Sequence, residues 1–427
     1  MRHLPLVALI LLVVVAAGAP WLFGRLAEHE FVQAVERLNA SSDRVRAELH
    51  EYERNYLSGW AVTELTLGGD DGEDPLILRL NTELEHGLTG VRSWTRPDPE
   101  QAEAWRALFP DRLPELRLEA HAHGTVRARV RVPAFSWSSD VPVPMLAGST
   151  GEFSDFSSRL RVRRGARLRF QLDWPGATMD VGHSRMTLEG LHLTQRLRPW
   201  GETLWTGRGD LQLEQFVIDP ILDAPIVFEN LALNNEAGVS GDYLDLDWEA
   251  SLANLSLGED VVGRQAFIAG VRGFHAPSLD GALSSLIELQ TLRRGSGDAE
   301  REMELYRLLS ERLQKLAAHG GELDLHELLF RLPEGRLEGA LHLAYPQLPE
   351  AERAVQRSLL EHVTGEAHLI VDRDMLWVLP QSAQAGLARL RRHGLLEESN
   401  GEYRLDLLLQ GRELMINGEE VLIPPLL

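Results

Sequence analysis

The sequence predicts an α+β protein with a mainly antiparallel β-sheet body, late helical segments and one N-terminal transmembrane helix. Three observations predict this class. Apolar and polar residues alternate with a period of two in many segments between Val45 and Leu257, as in strands with one buried face. Apolar residues recur at spacings of three and four between Leu279 and Ala318, as in amphipathic helices. The charge-free run Leu4–Phe23 has the length of a bilayer-spanning helix.

The N-terminal run favours an uncleaved membrane anchor. At a rise of ~1.5 Å per residue, Leu4–Phe23 spans about 30 Å as a helix, which is the thickness of a bilayer's hydrocarbon core. A cleaved signal peptide is the alternative, because Ala17-Gly18-Ala19 has the form of a cleavage site. Pro20 would make a poor first residue after that cut. Positive charge on Arg2 and the amino terminus predicts that the body lies outside the cytoplasm.

Three regions follow from these patterns. Residues 1–24 form the predicted anchor, residues 25–275 a β-rich region, and residues 276–427 a mixed region of helices and strands. The last region ends in a predicted hairpin, in which Asn417-Gly418 separates two apolar runs.

Composition excludes several classes of function. The chain has no cysteine, so disulfides and thiolate metal sites are absent. A formal net charge of −21 argues against nucleic acid as a partner and against broad adhesion to anionic lipid.

No motif predicts catalysis. Nucleophile-elbow, zinc-protease and phosphate-loop patterns are missing, and with 64 acidic residues, close pairs of carboxylates arise by chance. His121 and His123 share one face of a predicted strand, but a metal needs further ligands, and two solvent-facing histidines are the preferred interpretation. The sequence therefore predicts no catalytic residue, no metal site, no cofactor and no enzyme activity.

Arginines on alternate positions are the strongest candidate for a binding site. They fall on two predicted strands and across a hairpin: Arg127, Arg129, Arg131, Arg159, Arg161, Arg163, Arg167 and Arg169. Like charges that face each other across strands destabilise the pairing, so acidic neighbours or an anionic ligand should lie nearby. The first interpretation is a solvated face neutralised by acidic side chains. The second is recognition of an anionic lipid head group, polysaccharide or protein surface.

The opposite faces of the same strands are aliphatic. In a closed or helix-covered sheet they would form the core, which is the preferred interpretation. In an open sheet they would line a groove able to hold acyl chains. Periodicity alone does not separate the two arrangements.

Several short segments resemble a known family. They are the stretch YERNYLSGWAVTELTL with Tyr56, Gly59 and Trp60, the pair His86-Gly87, and the ending YRLDLLLQGRELMINGEEV with Asn417-Gly418. Together they resemble the YdgA-like bacterial envelope proteins, a domain of unknown function. Leu88-Thr89 departs from the family's continuation after His86-Gly87.

The resemblance implies location and fold more than activity. With the N-terminal run it predicts an inner-membrane-anchored periplasmic protein, and the role we expect is binding or scaffolding in the cell envelope. The expected partners are the bacterial inner membrane and a lipid or another envelope protein, with no nucleic acid. Lipid handling through an apolar β-groove rimmed by arginine is the first alternative, and an envelope hydrolase is the second.

Overall fold

The computed structural model describes residues 4–41, 45–67, 76–98, 105–106, 109–137, 149–220, 224–295, 299–349, 362–377, 381–411 and 413–422. Within the first helix, side chains are described from Ala19 to Asn39. The chain divides into two compact units. Unit 1 holds Met1–Thr194 and Phe216–Asp223, and unit 2 holds Gln195–Gln215 and Ala224–Leu427.

A single N-terminal helix, α1, runs over Leu4–Ser41 and contains Pro20. Phe31, Val35 and Leu38 have helical spacing in the sequence, and this segment is continuous with the predicted anchor in α1. Among the helices that the structure describes, none is long and apolar enough to cross a membrane. Most side chains of the expected anchor, Leu4–Phe23, lie outside the described residues, and the transmembrane part of the fold prediction has no structural support.

Unit 1 contains ten strands and parts of two more. They are β1 Val45–Arg54, β2 Ser58–Leu67, β3 Leu76–His86, β4 Gly90–Pro97, β5 Glu115–His121, β6 Thr125–Val132, β7 Phe135–Trp137, β8 Ser149–Phe153, β9 Phe156–Arg163 and β10 Arg167–Val181. Strands β11 Ser184–Pro199 and β12 Trp205–Pro220 contribute residues to both units. Strands β1 to β6 pair consecutively and antiparallel, and β6 then pairs with β9. Strand β10 pairs with β9 along its first half and with β8 along its second, and β8 also pairs with β7.

Helix α1 is fastened to the first strands of unit 1. The amide side chain of Asn39 donates to the carbonyl of Ala47 at 2.8 Å and accepts from its N–H at 2.6 Å, which satisfies backbone groups of β1. The ring centroids of Phe31 and Tyr52 lie 6.0 Å apart. Ala47 and Ala61 are fully buried where the helix covers the sheet.

Unit 2 contains the remaining strands. They are β13 Ile226–Ser240, β14 Tyr243–Leu257, β15 Asp260–Val261, β16 Gln265–His275, β17 Gly321–Leu332, β18 Gly335–Tyr345, β19 Thr364–Asp372, β20 Glu397–Ser399, β21 Glu402–Gln410, β22 Glu413–Ile416 and β23 Glu419–Leu422. Antiparallel pairs join them in the order β13, β14, β16, β17, β18, β19, β21, β22 and β23. Short β15 pairs with β14, and short β20 pairs with β21.

Two helices, α2 Ala276–Gly295 and α3 Ala299–Ala318, are inserted between β16 and β17. A core of Leu204, Leu244 and Ala276 forms where α2 begins, and Trp200 packs against it. A short 3₁₀ helix, Arg373–Trp377, and α4, Gln381–Arg392, follow later in the chain.

The structure confirms a mostly antiparallel β-sheet protein with a few helices. Strand β4, Gly90–Pro97, lacks the regular apolar alternation that predicts strands elsewhere in the sequence. Ser93 and Thr95 take the positions facing Leu118 and Leu116 of β5, so small polar residues occupy the apolar face there.

Candidate functional site

The register of the sheet brings the predicted arginines onto one surface of unit 1. Arg127 and Arg129 on β6 lie directly opposite Arg161 and Arg159 on β9. Arg161 in turn lies opposite Arg169 on β10, and Arg163 opposite Arg167. We call the following set the arginine face: Arg127, Arg129, Arg131, Arg159, Arg161, Arg163, Arg167 and Arg169. Sequence reasoning treated these residues as two separate groups, whereas the pairing of β6 with β9 joins them.

Strand alternation explains why the arginines share a face. Val126, Ala128 and Val130 alternate with the arginines of β6, so each row of arginine is backed by a row of aliphatic residues on the other side of the sheet. The arginines are therefore on the face opposite the apolar side chains.

Few acidic groups balance this surface. Glu115 contacts Arg96 and Arg117 at 3.0 Å each, and Glu119 contacts Arg127 at 3.6 Å. The other arginines of the face form no ion pair with a carboxylate in the part of the chain that the structure describes: Arg129, Arg131, Arg159, Arg161, Arg163, Arg167 and Arg169. Neutralisation by neighbouring acids is thus limited to the β4–β5 side of the surface.

The pKa values of Glu115 and Arg161 reflect the uneven distribution of charge on this surface. The hydrogen bond from Arg117 and the charges of the nearby arginines hold the pKa of Glu115 below its usual range, although burial opposes them. Burial, together with the positive charges of Arg163, Arg127 and Arg169, lowers the pKa of Arg161. The buried Nε of Arg161 has no hydrogen-bond partner among the described residues.

The arginine face is open and lacks a small-molecule pocket in its described part. A cavity of about 20 Å³, lined by Glu115, Arg117, Arg129 and Arg131, is large enough for little more than a water molecule. Guanidinium groups donate hydrogen bonds in a fixed fork that matches carboxylate and phosphate oxygens. The chemistry available here is the binding of anions along a surface.

The apolar face of the same sheet changes character across unit 1. On β1 to β4, near α1, several apolar side chains are fully buried, including Ala47, Ala61, Leu84 and Val91. On β5, β6, β9 and β10 the corresponding residues are only half-buried, among them Leu118, Val130, Leu160, Leu168 and Phe170. The sheet is helix-covered at one end and more open at the other.

A row of stacked aromatic rings marks one end of this open part. Phe135 and Phe153 stack at 4.5 Å between centroids with an interplanar angle of 5°, and Trp174 continues the row at 6.4 Å from Phe153. Trp174 Nε1 is buried without a partner in the described residues.

His86 and Gly59, two residues of the family resemblance, lie where α1 packs against the sheet. His86 is 3% exposed, burial lowers its pKa, and its ring packs where Gly24 of α1 has no side chain. The N–H of Gly87 donates to the carbonyl of Gly90 at 2.8 Å. Gly59 also lies beside the His86 ring. A Cβ at Gly59 would be 3.6 Å from the Cε1 atom of His86.

The other members of this set lie at the surface or in turns. Trp60 donates through Nε1 to Glu53 at 2.7 Å, and the Tyr56 side chain is half exposed. Asn417 and Gly418 both have positive φ, of 48° and 81°, and form the two-residue turn of the β22–β23 hairpin. The described contacts of His86 and Gly59 are packing contacts, and Asn417 and Gly418 form a turn.

The two histidines considered as metal ligands end β5 and enter the next turn. His121 is the last residue of β5, and the His123 ring stacks on the His121 ring at 5.2 Å. No group of three or more metal-ligating side chains is assembled among the residues that the structure describes.

Sequence reasoning missed a cluster in unit 2. Asp324, His342, Glu366, His368 and Asp406 lie on adjacent strands and line a groove of about 490 Å³. The sequence signal that could have indicated this cluster is the presence of single polar residues at alternate positions of otherwise apolar strands.

Comparison with known proteins gives a family and no activity. No curated protein and no solved structure matches the chain. The model of a family described as "Bacterial protein of unknown function (DUF945)" matches residues 3–424, nearly the whole chain. The chain therefore belongs to this bacterial family, DUF945.

Proposed function

We propose that this protein is a YdgA-like binding protein of the bacterial cell envelope that recognises an extended polyanion through its arginine face. An N-terminal segment would hold it at the inner membrane, with the bulk of the chain in the periplasm. The charge-free run Leu4–Phe23 supports this location, because it is long enough to span a bilayer. No enzyme activity is part of the proposal.

The observation that carries the proposal is the three-strand array of arginines. Arg127, Arg161 and Arg169 follow one another across β6, β9 and β10. Neighbouring strands are about 4.8 Å apart, and alternate residues of a strand about 6.6 Å. On this grid Arg127 contacts Glu119 at 3.6 Å, whereas Arg161 and Arg169 form no ion pair with a carboxylate among the described residues. Cations on such a grid suit a chain of repeated negative groups better than a single small anion.

The overall charge narrows the choice of partner. A formal net charge of −21 repels a broadly anionic bilayer, so contact with lipid head groups over a large area is disfavoured. A flexible polysaccharide that bears carboxylates or phosphates can follow the arginine rows without approaching the acidic remainder of the surface. We therefore assign an anionic polysaccharide as the partner.

The test compares two variants that each lose two positive charges. R129Q/R159Q removes a directly opposed pair from the arginine face, and R389Q/R392Q removes two exposed arginines of α4. Binding of the purified full chain to polygalacturonate is measured by calorimetry, with neutral dextran as the polymer control. We expect R129Q/R159Q to bind at least about tenfold more weakly, R389Q/R392Q to bind like the wild type, and salt to weaken binding.

Two results would refute the proposal: equal binding by both variants, or equal affinity for dextran. Binding that is retained for an acidic protein but absent for polygalacturonate would replace the polysaccharide with a protein partner.

A second candidate, phospholipid binding, rests on the half-buried apolar face of β5, β6, β9 and β10. F170E adds a charge to this face, and Q171E adds the same charge to the neighbouring position on the other face. We expect phospholipid to co-purify after mild detergent extraction with the wild type and Q171E, and to be lost in F170E at unchanged thermal stability. Absence of phospholipid from the wild type by mass spectrometry would exclude this candidate.

A further inference from the structure

His86 is enclosed between helix α1 and the first strands of unit 1. The residue is only 3% exposed. A Cβ at Gly24 of α1 would lie 2.7 Å from the Nδ1 atom of His86, and the backbone of Gly59 on β2 lies close to the other side of the ring. The two glycines let the helix and the strand close over the ring, which leaves no space for a water molecule between the ring and α1.

Both ring nitrogens of His86 are buried without a hydrogen-bond partner among the described residues. In the neutral imidazole, this leaves one donor and one acceptor unsatisfied. In the imidazolium, it leaves a buried positive charge without a partner, which costs far more. The closed arrangement therefore tolerates the neutral ring and opposes the charged ring.

The surroundings of His86 disfavour its protonation. Burial is the largest influence and lowers the pKa of His86 below its ordinary value, and the positive charge of Arg54 on β1 acts in the same direction. The backbone at Tyr56 and Asn55 acts to raise the pKa, but it does not reverse the shift.

The elements packed around the ring present no compensating carboxylate in the part of the chain that the structure describes. On α1, Glu28 forms an ion pair with Arg54 at 2.8 Å. On β2 the residue beside the ring is Gly59, and on β4 the residue opposite His86 is Val91, so neither strand places a charge there. A proton on His86 would gain a partner only if the helix moved away and admitted water.

Two further polar groups are buried on the covered face without a partner in the described residues. They are the hydroxyl groups of Tyr52 and Thr63. Tyr52 is opposite Ala61 in the β1–β2 ladder, and Thr63 is two residues after Ala61, so all three share this face. Burial and the charge of Glu28 raise the pKa of Tyr52 to about 12, so its hydroxyl is uncharged at neutral and acidic pH. Removal of α1 would hydrate both hydroxyls, which offsets part of the cost of opening.

We propose that protonation of His86 releases α1 from strands β1 to β4. Because the docked state binds this proton more weakly than the open state, docking is most stable above the ordinary histidine pKa of about 6.5 and weakens as pH falls below it. One proton shifts the equilibrium by up to about tenfold per pH unit. Release uncovers Ala47, Ala61 and Leu84 and extends the open apolar part of the sheet. It does not depend on the arginine face, which is on the other side of the sheet.

The test measures the accessibility of single thiols, since the chain has no cysteine of its own. A61C places a thiol on the face that α1 covers, and A276C places one in the core of unit 2; both alanines are 0% exposed. Reaction of the detergent-solubilised full chain with dithiodipyridine is measured at pH 7.5 and pH 5.5. The ratio of the two rates cancels the pH dependence of the thiol chemistry. We expect the ratio of A61C to A276C to rise about five- to tenfold at pH 5.5.

H86Q and H50Q, each made in the A61C and A276C backgrounds, are a matched pair of variants. Each replaces a histidine by a neutral side chain, and His50 is an exposed residue of β1 that lies 3.2 Å from Glu64. H50Q should keep the rise in the ratio and H86Q should abolish it, with thermal unfolding at pH 7.5 to verify that both variants are folded. An unchanged ratio without these substitutions, or an equal rise with H86Q, would overturn the proposal.

Hydrogen exchange of the unmodified chain gives a second readout that needs no substitution of His86. An isolated helix of this length is only marginally stable in water, so the released part of α1 should lose protection. Peptides from residues 25–39 should exchange about five- to tenfold faster at pH 5.5 than at pH 7.5 after correction for intrinsic rates, whereas peptides from β13 and β14 should not change. Equal protection of residues 25–39 at both pH values would contradict the release of α1.

Discussion

Asp280 ties helix α2 to the loop between β11 and β12 in unit 2. Its carboxylate accepts hydrogen bonds from the backbone N–H groups of Glu202, Thr203 and Leu204, at 3.0, 2.9 and 2.6 Å. The Thr203 hydroxyl donates a fourth bond at 2.8 Å. Gly201 makes room for this carboxylate, because a Cβ there would lie 2.2 Å from Oδ2.

The change D280A leaves these donors without an acceptor. Two of them, the N–H groups of Thr203 and Leu204, are in part-buried surroundings. A buried donor without a partner costs about 1–3 kcal/mol. Allowing for partial hydration, we expect D280A to lower the free energy of local opening by about 2–4 kcal/mol.

Hydrogen exchange of peptides covering residues 200–206 measures this free energy directly. A loss of about 2–4 kcal/mol corresponds to exchange that is roughly 30- to 900-fold faster where opening limits exchange. D260A is the matched control, since Asp260 is exposed on the short strand β15. We expect D260A to stay within about 0.5 kcal/mol of the wild type.

The stabilisation also depends on pH. Burial acts to raise the pKa of Asp280, but the hydrogen bonds from Thr203, Glu202 and Leu204 outweigh it, and the folded-state pKa lies below the usual value. A carboxyl with a depressed folded pKa stabilises above the unfolded pKa of about 3.9 and loses that contribution as pH falls through the folded pKa. In urea unfolding, the difference between wild type and D280A should be constant from pH 7 to pH 5 and shrink below pH 4. A difference that is absent at pH 7, or that grows on acidification, would refute the reasoning.

Two further predictions concern unit 1. R161Q should raise the midpoint of thermal unfolding by roughly 1–3 °C, because Arg161 faces Arg127 and Arg169 in adjacent strands. The control is R208Q, which changes an exposed arginine outside the arginine face. A lower midpoint for R161Q than for R208Q would contradict the prediction. G24L should destabilise the fold by about 1–3 kcal/mol in urea unfolding, because a Cβ at Gly24 would lie 2.7 Å from His86 Nδ1. The exposed position Ala34 of α1 gives the control A34L, and equal stability of the two variants would show that α1 does not pack as described.

Local pattern was sufficient for most elements of the fold. Alternating residues around Arg127 and Arg161 predict strands, and the spacing of Leu305, Leu309 and Leu316 predicts α3. The Asn-Gly pair predicts the terminal turn because both residues must take positive φ.

Long-range pairing was not predictable in the same way. Strand β4 has no apolar alternation in its sequence, because Ser93 and Thr95 occupy positions on the apolar face. Only the pairing with β3 and β5 shows that these positions belong to that face. The joining of the two arginine groups depends on β6 pairing with β9 across an intervening segment of sequence. The contacts of Asp324 with His342 and of His368 with Asp406 depend on the register of the paired strands.

The turn at Asn417-Gly418 has a consequence for chemical ageing. Asparagine before glycine is prone to deamidation, because the side-chain carbonyl carbon can be attacked by the next backbone nitrogen. Here the Asn417 amide accepts from the Asp406 N–H at 2.6 Å and donates to the carbonyls of Leu395 and Arg404, at 2.7 and 3.2 Å. These bonds restrain the rotation of the side chain that the attack requires. The folded hairpin thus shields a bond that would degrade quickly once the chain unfolds.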